Sequence, residues 1–112
     1  MRNSWEEINI DSCLSPGIQI STFTPSQLFY NKYTHQLIGV IDIDTTCSIE
    51  NQSTFLTLPS NIIVKRTGNI GVCSYNTEGI KARVHIEGRN LISSNGIAQP
   101  ITDALFLING II

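Results

Sequence analysis

One closely spaced carboxylate pair, two histidines and three cysteines are the side chains of this 112-residue sequence whose types and spacing could do chemistry. Asp42 and Asp44 stand two apart, so on a strand they share a face with about 6.5 to 7 Å between their Cα atoms. At that distance a carboxylate pair could act as acid and base in glycoside hydrolysis, or join further oxygens around a calcium ion. The plainer reading is a solvated strand face near a turn, and it is preferred: a glycosidase needs a deeper cleft than so short a chain readily frames. His35 and His85 have no evident nucleophile beside them in sequence. No Gly-rich phosphate loop, Gly-x-Ser-x-Gly elbow or His-Glu-x-x-His pair occurs. Cys13, Cys47 and Cys73 are odd in number, widely spaced and without a Cys-x-x-Cys pair. They read as free, buried thiols acting as small hydrophobes, and no metal site is expected. The chain is therefore expected to bind rather than to catalyse, with no catalytic residue and no cofactor.

Binding chemistry can be placed at two points. Aromatic faces stack on the apolar side of a sugar ring, and hydrogen-bonding side chains fix its hydroxyls. Tyr33 and His35 offer both within the turn Tyr33-Thr34-His35. Arg83 and His85 offer them on the polar face of one strand, joined by Tyr75 from the strand before. The competing readings are an ordinary polar turn and a solvated sheet face. Trp5, the single tryptophan, reads as an anchor for chain entry ahead of the first strand rather than as a sugar platform.

The elements that must position these residues are strands. From Ile80 to Glu87 the alternation is strict: Ile80, Ala82, Val84 and Ile86 on one face, Lys81, Arg83, His85 and Glu87 on the other, as period two requires. Between Leu37 and Thr46 the first half is apolar on both faces, so this strand is expected to be covered on both sides, by another sheet or by a neighbouring subunit. Further strands are expected at Gly17–Phe23, Gln27–Asn31, Thr54–Leu58, Ile62–Arg66, Ile70–Tyr75, Asn90–Ser93 and Ala104–Ile108. They are separated by the turn formers Ser15-Pro16-Gly17, Pro59-Ser60-Asn61, Thr67-Gly68-Asn69 and Ser94-Asn95-Gly96. Turns about ten residues apart give the rhythm of an all-β domain, an antiparallel β-sandwich or jelly-roll-like barrel. Residues 1–112 read as one such domain, with minimal helix. The apolar run from Ala104 to Ile112, interrupted by Asn109-Gly110, leaves more apolar surface than one small core covers, and self-association follows from it.

Composition narrows the partners. Charged residues make up 14% of the chain, the net charge is −2, and the seven cations are scattered, with Lys65-Arg66 the largest cluster. Phosphate affinity comes from clustered cations, so nucleic acid is not expected as a partner. Nothing approaches the roughly 18 consecutive apolar residues of a membrane span, so no membrane insertion is expected. Glu6 and Glu7 stand where a signal peptide would need an apolar run, so synthesis is expected in a cytosol. Asn51-Gln52-Ser53 matches a glycosylation sequon but, without that signal, carries no weight.

Read in order, the chain carries Trp5, then Phe29-Tyr30-Asn31-Lys32, the long strand Gln36 to Thr46, Thr54-Phe55-Leu56-Thr57-Leu58-Pro59, and a closing Leu105-Phe106-Leu107-Ile108-Asn109-Gly110-Ile111-Ile112. That succession, from Trp5 to Ile112, resembles the carboxy-terminal head domain of bacteriophage tail fibres and of baseplate receptor-binding proteins of phages infecting lactic-acid bacteria. The resemblance implies a homotrimer of antiparallel β-domains at the tail tip or baseplate of a virion. It further implies contacts with other phage tail proteins and a shallow site for a host cell-surface saccharide. It assigns Leu58-Pro59 to the end of a strand and Asn109-Gly110 to a turn in the last one. Where the family carries a Pro-Asp-Gly type turn, this sequence has Glu87-Gly88-Arg89-Asn90. The alternatives are a structural tail, baseplate or decoration subunit that contacts only virion proteins, and a bacterial carbohydrate-binding module detached from a larger enzyme.

Overall fold

The computed structural model describes residues 4–21, 25–45, 53–74, 80–94 and 104–112. Among them there is no helix. The described residues form nine strands in the order β1 (Trp5–Glu7), β2 (Ile18–Ile20), β3 (Gln27–Asn31), β4 (Gln36–Thr45), β5 (Thr54–Thr57), β6 (Gly68–Ser74), β7 (Ile80–Glu87), β8 (Asn90–Ser93) and β9 (Ala104–Ile111). They form one antiparallel sheet in the spatial order β1-β3-β4-β9-β6-β7-β8-β5, with β2 paired to the second half of β4. The closing strand β9 thus inserts between β4 and β6.

The sheet is curled into a half-barrel, and its two edges approach each other through the segment after β1. Leu14 bridges Leu56 of β5, Ser15 N donates to Phe55 O at 3.0 Å, and Thr57 N donates to Cys13 O at 3.0 Å. Bulges help the bend, because an unpaired residue raises local twist; they interrupt β6 against β7 after Asn69 and after Cys73, and β5 against β8 after Thr54. The curl brings together strands that are not neighbours. Phe55 of β5 stacks on Phe106 of β9 with ring centroids 4.3 Å apart, and both rings are fully buried. Burying each ring is worth about 1.5–3 kcal/mol, and their contact about 0.5–1.5 kcal/mol more. Around them lie the inward residues of the other strands, among them Leu28, Leu37, Ile41, Val84, Ile86 and Leu91.

The expected strands Gln27–Asn31, Ile80–Glu87 and Asn90–Ser93 occur with those bounds, and four expectations need correction. Residues 62–66 keep an alternating burial pattern, Ile62 in and Ile63 out, but form no strand. Their backbone bonds are Ile62 N to Pro59 O at 3.1 Å, within the turn, and Lys65 N to Ile112 O at 2.9 Å, which is too little to make a ladder. Gly68 and Asn69 belong to β6 rather than to a turn. Trp5 sits inside β1 and opposite Asn31, not ahead of the first strand, and its side chain is exposed. Asn109-Gly110 is no turn: β9 runs through both, paired to Ile38 and Leu37. A Cβ on Gly110 would meet Ile70 Cγ2 at 2.7 Å, so glycine serves the close approach of β9 to β6. The Leu58-Pro59 step does directly follow the end of β5.

Candidate functional site

The turn that carries Tyr33 and His35 is built by Asn31. Its Oδ1 accepts from Tyr33 N at 2.9 Å and from Thr34 N at 3.1 Å, and its carbonyl accepts from His35 N at 2.8 Å. An Asx side chain thereby replaces backbone partners that the tight bend cannot supply. His35 takes φ 63°, a left-handed conformation that histidine adopts more readily than most side chains. Its ring turns away from solvent: Nδ1 lies 3.0 Å from the Tyr30 hydroxyl, which donates to Ile63 O at 3.3 Å. Burial, and next the negative charge of Glu6, hold the Tyr30 hydroxyl above its ordinary pKa. The His35 carbonyl accepts from Ile112 N at 2.8 Å. His35 is therefore half-buried and joined to the core, whereas Tyr33 is 53% exposed with Lys32 Nζ 5.4 Å from its ring centroid.

Arg83 and His85 occupy the outer face of β7, Arg83 exposed and His85 half-buried. Ser94 fixes this stretch of backbone, accepting from Arg83 N at its hydroxyl and donating its own N–H to Arg83 O at 2.8 Å. Tyr75 lies outside the described residues. Between β4, which begins beside the Tyr33 turn, and β7 stand β9 and β6. Three strand spacings put the backbones about 14 Å apart. The structure does not bring the two candidate pairs together.

The carboxylate pair is divided by burial. Asp44 is half-buried and faces Gln19 of β2, but Asp42 is 1% exposed, which corrects the expectation of a solvated face for both. Ser21 and Ser26 close over this point of β4: Ser21 N donates to Asp42 O at 2.9 Å and Asp42 N donates to Ser26 Oγ at 2.9 Å. Of the cysteines, Cys73 is a buried free thiol pushed up to about 12 by desolvation, Cys13 is free and half-buried, and Cys47 lies outside the described residues. No grouping of three or more His, Cys, Asp or Glu side chains suited to a metal occurs among the described residues.

Two features stand apart from these candidate residues, and only the second escapes a reading of the sequence alone. One is an apolar patch on the outer face of the central strands. Partners in an antiparallel pair share a face, so Gln27, Val40, Leu107, Val72 and Arg83 form one outward row across β3, β4, β9, β6 and β7. Phe29, Ile38 and Asn109 form the next row, and Gln36 and Ile111 the one after. Within this area Leu107 is 46%, Ile111 43% and Ile38 37% exposed. Alternation inside the Ala104–Ile112 run would have assigned Leu107 and Ile111 outward. The other feature is an open groove of about 560 Å³ between residues 12–16 and residues 57–60, with Arg89 at its side. Nothing in sequence signals it, since its walls come from three distant segments. Two smaller grooves lie along Glu7–Asp11 and beside Arg66–Ile70. Tyr33, His35, Arg83 and His85 line none of the three. Comparison with protein-family models, curated proteins and solved structures finds no match for this chain.

Proposed function

We propose that this chain is a non-catalytic adhesin of a bacteriophage tail tip or baseplate, self-associated as a homotrimer and recognising a host cell-surface saccharide. The fuller fold that belongs to this reading is a jelly-roll-like barrel, packed against its copies through the outer face of β4 and β9. The observation that carries the reading is the apolar patch of Ile38, Leu107 and Ile111 on adjacent strands of the sheet. Exposed apolar side chains gathered on one face are a cost in water and a gain at an interface, at about 25 cal/mol per Å² removed from solvent. The saccharide, the phage setting and the three-fold state come from the resemblance of the sequence to tail receptor-binding heads.

Weak affinity at each site is expected, because shallow polar sites bury little area and must displace ordered water. Several sites on one rigid trimer raise the effective concentration after a first contact. Sedimentation equilibrium at micromolar concentration tests the assembly and should return the mass of three chains; a mass of one chain sinks it. Titration of host cell-wall polysaccharide tests recognition. No binding to any host glycan by an intact oligomer would replace the adhesin with a structural virion subunit.

A further inference from the structure

We propose that the groove beside Arg89 is a binding site for a sugar carrying an oxyanion, with the guanidinium as its anchor; this rests on the saccharide-binding reading and gives it a place. The walls are held before any ligand arrives. Residues 13–15 are laced to β5 by the backbone bonds that close the half-barrel. The β7–β8 hairpin joins from the other side: Leu58 N donates to Arg89 O at 2.8 Å, and Arg89 Nη1 donates to Leu58 O at 3.3 Å. The two-residue loop Gly88-Arg89 sets this geometry, with φ +59° at Gly88 as a type II′ hairpin turn requires. Both Arg89 and Leu58 are thus held at their backbones, and the Arg89 guanidinium is tied to Leu58 O by one bond.

The chemistry of the lining is selective. In a chain of net charge −2, the groove is lined by one permanent charge, the Arg89 cation, and by no Asp or Glu. Arg89 meets no carboxylate among the described residues and spends one donor on Leu58 O. A guanidinium has five N–H donors, so most remain for a carboxylate or phosphate group, which it grips with two parallel bonds. Hydroxyls stand around it: Ser12 Oγ donates to Asn9 O and Thr57 Oγ1 to Asn90 Oδ1, each keeping lone pairs for a sugar hydroxyl, and Ser60 is exposed. Pro59 offers an apolar surface suited to sugar C–H groups. A volume of about 560 Å³ holds one or two sugar rings. The groove along Glu7–Asp11 carries two acidic side chains and would repel the same ligand.

The test is calorimetric titration of the full chain with glucuronate, glucose 6-phosphate and glucose. At least one charged sugar should bind about tenfold or more tighter than glucose, the value of a charged hydrogen-bonded contact. Glucuronate alone identifies a carboxylated ligand, and glucose 6-phosphate alone a phosphorylated one. Arg89→Gln should lower that affinity about tenfold or more. Ser60→Trp, at an exposed turn position, should do the same by filling the groove, and Lys65→Ala, exposed and outside the groove, should leave it unchanged. Thermal melts of each variant confirm folding. Unchanged binding in both Arg89→Gln and Ser60→Trp, or glucose binding as tightly as the charged sugars, overturns the site while leaving saccharide recognition standing. No binding of any of the three overturns it as well, and failure to bind host wall polysaccharide in the same titration removes the adhesin reading itself.

Discussion

β7 and β9 lie one strand apart in the same sheet and bury the same kind of inner face, Ala82, Val84 and Ile86 on the first and Ala104, Phe106 and Ile108 on the second. Their outer faces are opposite in kind. β7 shows Arg83 and Glu87 to solvent, as a strand at a water boundary should. β9 shows Leu107 and Ile111. Both strands alternate in burial with the same period, so the difference is not one of backbone geometry. It lies in the outer side chains, charged on β7 and apolar on β9 and its neighbour β4, where Ile38 is exposed beside them.

The inner half of the contrast is the easiest to break, with the largest effect. Val84 is fully buried between alternating polar neighbours. Val84→Asp puts a carboxylate in the core and should cost at least about 3 kcal/mol in urea unfolding. An effect below about 1 kcal/mol would mean that the register of β7 is wrong, and with it the division of the sheet into two faces.

Gly110 sharpens the contrast at the end of β9. A methyl group there meets Ile70 Cγ2 at 2.7 Å and Ile70 Cβ at 2.9 Å. Gly110→Ala should cost about 1–3 kcal/mol by overpacking β9 against β6. Gly88→Ala, where a Cβ has open space but the backbone is left-handed, should cost no more than about 1–2 kcal/mol. Melting curves that reversed this order would place the tight approach elsewhere.

How much of this was legible depended on whether the information was local. The alternation of Ile80 to Glu87 specified a strand, a face and a boundary, because a strand's two faces are written in adjacent residues. The run Ala104 to Ile112 hid its alternation, since leucine and isoleucine on both faces give no contrast. The turn at Asn109-Gly110 came from the resemblance, and only the nearness of Ile70, distant in sequence, explains glycine inside a strand. The same holds for 62–66, whose pattern is that of a strand but whose ladder partners the sheet order does not supply. Asp42 looked solvated because the serines that close over it come from other segments. Of the candidate binding residues, Tyr33 and Arg83 are exposed as read, His35 is committed to Tyr30, and the groove at Arg89 was invisible for want of any local mark.

Buried ionisable groups on the inner face add a dependence on pH. Cys73, pushed from 9.0 to about 12, and Tyr30, held above 10.0, are both kept neutral by the fold. The unfolded chain ionises first, so the stability they hold is complete below pH 9 and falls as pH climbs from 9 toward 12. Cys73→Val, which cannot ionise, should flatten the decline in melting temperature between about pH 9 and pH 10. An unchanged slope would mean that Cys73 is not desolvated in solution and that the inner face admits water there.

The outer faces should respond least in stability, and there the two strands should part most clearly in behaviour. Arg83→Ser removes an exposed charge from β7 and Leu107→Asp adds one to β9, each at a position open to solvent in the single chain. Surface changes of this kind usually alter stability by within about 0.5 kcal/mol. Both variants should therefore melt near the parent when measured at nanomolar concentration, where self-association contributes little. At micromolar concentration they should diverge. Arg83→Ser keeps the apolar patch and should sediment as the parent does. Leu107→Asp sets a carboxylate in the row between Val40 and Val72, and burying it against a second apolar face would cost several kcal/mol, so the assembly should fall to one chain. A folded Leu107→Asp chain that kept the parent mass would show that the outer face of β9 is not the surface through which copies meet. Should Leu107→Asp unfold even at nanomolar concentration, Leu107→Ser, which removes the apolar area without burying a charge, makes the same distinction by weakening association rather than abolishing it.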